Sequence, residues 1–409
     1  MLNLSLIFPA FSHQNYRVYI IGHFISIAGT WLQIVAQGWL VFQLTQSAFL
    51  VGLATAINTL PILLFSLFGG VLVDKFPKKK IIILTSIAAM ILALILGILT
   101  LLNLVTFTHI IIIAFLLGIV DSIDKPGRKS FIIELVGKND LGSAIALNAS
   151  IYNAARVVGP ALAGILIATV GPGVAFIINS FSFLMVALIL TLLKPYPTAA
   201  PVAMGTFSAI KEGLNYSWNH HSIRNMMSLV AVVSIFGWSY ITILPVISER
   251  VLHLDVGGLG YLYSASGLGA TLGALLVSAF ITRIAPALFI WSGSFLLSVS
   301  IFLFTLGSSF AISLFLLFLS GLGITLLFST LNTLIQNHVD DSLRGRVMSI
   351  YTLMLNGTSP IGSFQIGWLS ENFGSQLALQ IGALMILVFS LFFFFSPSLK
   401  KTFSRNPSY

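Results

Sequence analysis

No cysteine occurs anywhere in the 409 residues. That excludes disulfides, thiolate metal sites and cysteine nucleophiles. Charge is almost as scarce. Asp, Glu, Lys and Arg make up 8% of the chain, against about 25% in an ordinary soluble domain, so this sequence cannot cover a water-facing surface. Convergent catalytic groups are missing too. His13, His109, His220, His221, His253 and His338 fall at segment ends or in loops, and His23 stands alone near the start of the first apolar segment. They form neither a metal cluster nor a catalytic triad, and an enzyme is not expected. No glycine-lysine-threonine phosphate loop is present, which removes ATP as the driving force. Gly267-Leu-Gly269-Ala-Thr-Leu-Gly273 has the glycine spacing of a nucleotide loop. It lies inside an apolar run with no strand before it, so helix packing is the expected role.

What is abundant is apolar surface. Hydrophobic residues are 57% of the chain and the mean hydropathy is +1.02. Repeated apolar stretches of about 20 residues match the length of helix that crosses a bilayer. With no water to pair them, backbone groups there must bond within the segment. The stretches are apolar all round rather than alternating, which predicts helices. Twelve spans are expected, at 16–44, 48–73, 81–102, 109–136, 141–170, 174–193, 223–247, 257–280, 286–306, 310–338, 343–369 and 376–395. The fourth is expected to break near Pro126 and Gly127. The first span reads as a membrane helix rather than a cleavable signal.

Basic residues fix the expected orientation. Eighteen of the twenty Lys and Arg fall on one side, including Lys75, Lys78, Lys79 and Lys80 and the tail residues Lys400, Lys401 and Arg405. Arg156 lies within a span and Arg250 near the end of the seventh. The net charge of +9 therefore reads as topogenic charge in short loops, not as a nucleic-acid surface. Positive charge stays cytoplasmic, which puts both termini inside. A cysteine placed at Lys401 should resist an impermeant thiol reagent in intact cells, and one at Ser308 should react. Labelling at Lys401→Cys would reverse the orientation.

The chain also repeats itself. Gly164 to Gly171 (GILIATVG) matches Gly367 to Gly374 (GWLSENFG) at an offset of 203, and VGLATA from Val51 resembles LGYLYS from Leu259 at 208. A six-plus-six duplication is the mark of one transporter architecture, with the binding site between the repeats. The expected organisation is a six-helix bundle at 1–193, a cytoplasmic linker at 194–222 and a second bundle at 223–409. Within the linker, Phe207, Ile210, Leu214 and Trp218 recur at helical spacing with Lys211, Glu212 and Asn215 between them. That predicts a short helix lying on the membrane surface or packed against the protein.

The loop after the second span reads Gly70-Val-Leu-Val-Asp74-Lys75-Phe-Pro77-Lys78-Lys79-Lys80. It resembles the loop signature of the major facilitator superfamily, with Pro77 in place of the second glycine. Arg156-Val-Val-Gly159-Pro160-Ala-Leu-Ala-Gly164 resembles the glycine-proline motif of that superfamily's antiporters. Helix 1, from Gly29 through Trp31, Gln33 and Gln37 to Trp39, resembles its drug:proton antiporter subgroup. So do Pro126-Gly127-Arg128 to Val136 and Arg344-Gly345-Arg346-Val347-Met348-Ser349. That subgroup includes macrolide efflux proteins and the enterobactin exporter.

The resemblance implies an all-α membrane protein of twelve helices in two pseudo-symmetric bundles, exporting cargo without a bound cofactor. It implies that Asp74 caps the start of helix 11, where an anion at a helix N-terminus is favoured. Lys75, Arg128, Arg344 and Arg346 group with Asp74 as expected gating residues. Gly159, Pro160 and Gly164 permit close packing and a bend. A charge inside the membrane is costly and tends to be functional, which singles out Asp121 and Arg156. If helices 4 and 5 turn at 137–140, these two lie at matched depth, so an ion pair that couples a proton to transport is expected. Gln33, Gln37, Asn153 and Asn356, with Trp31, Trp238, Tyr240 and Tyr263, are the expected cargo liners. Tyr351 is a further aromatic candidate, and Asn58, Asn148 and Asn179 are other polar groups within the spans. The expected cargo is a small amphiphilic molecule, with a siderophore and then a lysophospholipid as alternatives. The proton is the expected coupling ion and the bilayer the expected surroundings. A monomer in a bacterial inner membrane is expected. A non-transporting receptor would need a soluble signalling domain, and an embedded enzyme would need clustered histidines or carboxylates.

Overall fold

The computed structural model describes residues 8–194 and 206–395. Among the described residues there is no strand. A short turn at Pro9–Ser12 leads into α1 (Gln14–Thr45). Then follow α2 (Ala48–Lys75), α3 (Lys78–Leu101), α4 (Phe107–Val136), α5 (Leu141–Val170) and α6 (Pro172–Leu192). The linker helix α7 (Thr206–Asn219) is followed by α8 (His221–Val232), a π-helical turn at Val233–Gly237 and α9 (Tyr240–Arg250). After α10 (Val256–Phe280), α11 (Pro286–Phe304) and α12 (Phe310–His338) comes α13 (Asp341–Thr352). A second π-turn at Leu353–Gly357 then precedes α14 (Ser359–Phe373) and α15 (Ser375–Phe395).

Eleven segments among the described residues are long and apolar enough to cross a membrane. The segment expected as the eleventh span is instead divided. Its halves α13 and α14 have 12 and 15 residues, and α13 carries Arg344 and Arg346. The seventh span is divided likewise, and the two π-turns meet: Ser234 Oγ in one donates to the Leu355 carbonyl in the other at 2.6 Å. A π-turn leaves backbone carbonyls without their usual partners, and this hydroxyl satisfies one of them.

The expected break at Pro126 does not occur; α4 runs through it. Pro126 cannot donate to the Ser122 carbonyl. Gly69 of α2 lies against that carbonyl, where any side chain would collide with it. Glycine there lets α2 pass close to the bared carbonyl, and α4 continues through the proline.

The chain divides into two compact units. The first comprises Met1–Thr45, Leu60–Ala203 and Asp255–Gly260; the second comprises Gln46–Thr59, Met204–Leu254 and Tyr261–Tyr409. Relative to a single cut in the linker, two short helix ends change membership: the start of α2 and the start of α10. The first unit has a core of Tyr16, Tyr19, Ile20, Ile82, Phe131, Leu135, Ala144 and Leu190, at the end of the bundle that holds the basic loops. In the second unit, Val277, Phe289, Leu322 and Leu326 pack together.

Glycines set the helix crossings. The nucleotide-loop lookalike is such a crossing, as expected: a Cβ on Gly273 would stand 2.9 Å from the Leu322 carbonyl oxygen, and Gly269 lies against Phe318. Gly171 and Gly374 end α5 and α14 with φ of +84° and +87°. They occupy matching positions in the repeat, and each serves as the left-handed stop that favours glycine.

The linker helix α7 docks on α13. Glu212 pairs with Arg346 at 2.5 Å, and Gly213 lies on the Arg346 backbone. Its other face stays open, with Leu214 49% and Trp218 67% exposed. The side chains of Phe207 and Ile210, and the tail residues Lys400, Lys401 and Arg405, lie outside the described residues. Because Glu212 is half-exposed, Arg346→Ala should cost no more than about 1 kcal/mol of thermal stability. A larger loss, read by detergent-phase melting, would show that α7 is a structural strut.

Candidate functional site

The first unit carries a buried polar layer across α1, α3 and α4. Arg128 is its centre. It lies eight residues before the end of α4, so roughly 12 Å along the helix. Arg128 Nε donates to Asp124 Oδ2 at 2.5 Å, a pair one helical turn apart with side chains 11% and 15% exposed. The other guanidinium nitrogens reach Ser86 Oγ on α3 at 3.1 Å and His23 Nδ1 on α1 at 3.3 Å. Thr85 Oγ1 donates to Asp124 Oδ1 at 2.6 Å, and the same hydroxyl lies 3.1 Å from the carbonyls of Ile81 and Ile82. Tyr19 stacks on His23, with ring centroids 5.3 Å apart. Tyr19, Ser86, His23 and Arg128 are all buried.

A charge pair in such surroundings is costly to bury and strongly destabilising to break by removing one partner. Hydrogen bonds with Ser86 and Thr85 tie the pair to α3, and the contact with His23 ties it to α1.

The expected pair of Asp121 with Arg156 is corrected. Asp121 pairs with Lys125 at 2.8 Å, one turn along α4 and in more open surroundings. The Arg156 guanidinium lies over the Trp31 ring on α1, 5.7 Å from its centroid. Residue count along neighbouring helices bears on height alone; rotation about each axis decides which side chains meet. Gly159 turns this face of α5 onto α1: a Cβ there would stand 2.6 Å from the Ala28 carbonyl oxygen and from Trp31 Cβ.

A second polar contact links α1 with α6. Asn179 Nδ2 donates to Gln33 Oε1 at 2.6 Å, and Ser182 Oγ to Asn179 Oδ1 at 2.9 Å. Gln37 is half-buried, as is Asn153, whose amide donates to the Ala149 carbonyl at 3.0 Å. In the second unit, Tyr240 bonds Ser266 at 2.7 Å and Tyr263 donates to the Ile241 carbonyl at 2.9 Å. Both rings are buried, and these two candidate liners join α9 to α10. Tyr351 donates to the Phe328 carbonyl at 3.1 Å. Trp238, just after the first π-turn, is half-buried, and Asn356, in the second, is exposed.

Around the basic loop, Asp74 and Lys75 are exposed at the end of α2. Lys78 pairs with Glu134 at 2.7 Å, with both side chains 12% exposed. Lys79 donates to the Thr191 and Leu193 carbonyls at the end of α6, a favourable place for a cation. Arg344 Nε donates to the Gln336 carbonyl at 3.1 Å. Pro160 and Gly164 are buried in α5, and Gly164 faces Gly257 and Gly260 at the start of α10. Among the described residues no three metal-ligating side chains converge.

Asp124 was missed by the sequence reading, and Arg128 was assigned to the gate instead of to a buried pair. The signal was present: Asp121, Asp124, Lys125 and Arg128 form two interleaved pairs at spacing four. The buried pair is the one that shares the face of Gly127 and Phe131.

The chain matches the family described as transmembrane secretion effector over residues 6–407. It is 25% identical over 379 residues to the staphyloferrin A transporter of Staphylococcus aureus, covering 92% of this chain and 95% of that one. It is 28% identical over 389 residues to the enterobactin exporter EntS of Citrobacter koseri, covering 90% and 88%. To the multidrug efflux pump Tap of Mycobacterium tuberculosis it is 24% identical over 396 residues, covering 92% of each. Among solved structures, a bacterial homologue of the human lysosomal transporter Spinster, inward-facing and unoccupied, matches with a TM-score of 0.78 and 15% identity. That match covers 95% of this chain and 97% of the homologue. The nucleoside transporter NupG matches with a TM-score of 0.72 and 13% identity, covering 93% and 98%.

Proposed function

The chain belongs to the transmembrane secretion effector family of the major facilitator superfamily, and from that membership we propose a proton-coupled exporter of small amphiphilic molecules. It is a multi-pass membrane transporter and not an enzyme. The observation that supports proton coupling is the Asp124–Arg128 pair with His23, Ser86 and Thr85, buried inside membrane helices. Coupling is thereby assigned to Asp124 and Arg128 rather than to Asp121 and Arg156. Protonation of Asp124 releases Arg128 and changes how α4 is tied to α1 and α3. Transport proceeds by alternating access in this reading, with export across the inner membrane of a bacterium and both termini cytoplasmic.

Within this class a siderophore cargo is the second reading. Two relatives that cover most of the chain are a staphyloferrin A transporter and an enterobactin exporter. The test is uptake into inverted vesicles under an imposed proton gradient, against a panel of labelled amphiphiles and iron-free siderophores. Accumulation of one class that collapses with an uncoupler supports the proposal. Accumulation that needs ATP, or none across the panel, overturns it.

A further inference from the structure

The internal repeat marks two helix crossings that the coupling site does not use. A Cβ on Gly52 would stand 2.7 Å from Gly367 Cα, and one on Gly260 would stand 2.8 Å from Gly164 Cα. Gly52 corresponds to Gly260 at the 208 offset, and Gly164 to Gly367 at the 203 offset. Each crossing thus pairs one segment of each repeat: the start of α2 with α14, and the start of α10 with α5. Both lie at the end poor in Lys and Arg, the expected outer end.

The two crossings differ in the source of the anion. Helix α10 is capped by its own Asp255, whose Oδ1 accepts from Gly258 N at 2.9 Å. The repeat counterpart of Asp255 is Ser47, which caps α2 with a neutral hydroxyl, accepting from Leu50 N at 3.2 Å. The negative charge that Ser47 lacks comes from another helix. Glu371 Oε2 on α14 accepts from Ala48 N at 2.7 Å and from Phe49 N at 3.2 Å. The turn before α2 is held further by Arg250 of α9, which donates to the Gln46 carbonyl, and Phe49 meets Phe364 edge-on with centroids 5.5 Å apart.

We propose that Glu371 is a gating residue: its carboxylate, lent to the N-terminus of α2, latches the outer turn of that helix to α14, and the contact must break once per transport cycle. This rests on the alternating-access reading above. A helix that carries its own charged cap, as α10 does, stays capped when its crossing parts. Helix α2 loses the anion when its crossing parts, so its separation from α14 carries an electrostatic cost that α10 does not share. An anion at a helix N-terminus is worth about two- to fivefold in an equilibrium. Of the charged residues on the elements packed against α14, Glu249 and Arg250 belong to α9, Asp74 and Lys75 lie at the far end of α2, and α15 contributes none. Arg250 acts on the same turn, so its loss should shift the population in the same direction.

Nitroxide labels at Leu50→Cys and Asn372→Cys, in a chain with no cysteine of its own, would report the separation in lipid nanodiscs. Glu371→Gln should raise the ratio of long to short distances about two- to fivefold, and Glu371→Asp should return most of the short population. The deciding variant is Ser47→Asp with Glu371→Gln, which copies the cap of α10 into α2. The helix is then capped but not latched, so the long population should persist. An unchanged distribution in Glu371→Gln overturns the proposal, as does recovery of the short distances by Ser47→Asp, which would make Glu371 only a helix cap. The measurement needs neither cargo nor gradient. A chain that showed the shift yet moved no cargo would overturn the exporter reading and keep the latch.

Discussion

Asp124→Asn should reduce uphill export by a factor on the order of 5 to 150, the range of a coupling free energy of about 1–3 kcal/mol, while downhill movement of cargo persists. The amide keeps the shape of the carboxylate, but its single oxygen can accept from only one of Arg128 Nε and Thr85 Oγ1, which lie 2.5 and 2.6 Å from the two carboxylate oxygens. It cannot take a proton, and it attracts Arg128 less strongly. Asp124→Ala removes the acceptors as well and strands a buried guanidinium, so it should lower stability by about 3–5 kcal/mol. The contrast between the two substitutions separates coupling from folding. Asp121→Asn, which disturbs the more open pair with Lys125, should leave uphill export nearly intact. Uphill export lost in Asp121→Asn and kept in Asp124→Asn would return coupling to the pair first expected from the sequence.

Identical glycine-to-alanine changes in α5 should have opposite signs. Gly159 lies on α1 so closely that a new Cβ would stand 2.6 Å from both the Ala28 carbonyl oxygen and Trp31 Cβ. Neither neighbour is the free end of a flexible chain. Gly159→Ala should therefore force α5 away from α1, at a cost of about 1–3 kcal/mol, and disturb the Trp31 ring beneath Arg156. Gly142, the second residue of the same helix, has nothing within 4 Å of its Cβ position. There alanine only improves helix propensity, a gain of up to about 1 kcal/mol. Melting of the two variants in detergent should move in opposite directions. A shared direction would mean that backbone propensity, not the crossing, sets the stability of α5.

Composition and period made most of the helices legible, because a bilayer leaves few alternatives for a long apolar run. The span expected at 141–170 coincides with α5, and that expected at 310–338 with α12. The repeat segments read from the sequence are the ones that cross in the structure, at Gly52 with Gly367 and at Gly164 with Gly260. Three features were not legible. The π-turns at 233–237 and 353–357 depend on each other through Ser234 and Leu355, a contact between segments more than a hundred residues apart. At Pro126, Gly69 of another helix lies against the Ser122 carbonyl, a contact the local sequence does not announce. The choice of Asp124 over Asp121 depends on which face of α4 turns inward, and spacing alone leaves both pairs possible. In the last case spacing sets position along the helix, and tertiary packing sets rotation about it.

The most direct test of proton coupling reads the proton itself. Proteoliposomes with a trapped pH dye, loaded with a cargo that the vesicle panel identifies, would be diluted into cargo-free buffer of equal pH. Efflux of cargo down its gradient should draw protons inward and acidify the lumen, and the signal should vanish in Asp124→Asn while cargo still leaves. Cargo efflux with no lumenal pH change in the wild-type chain, under conditions where an added ionophore clamps the potential, would contradict a proton-coupled exporter.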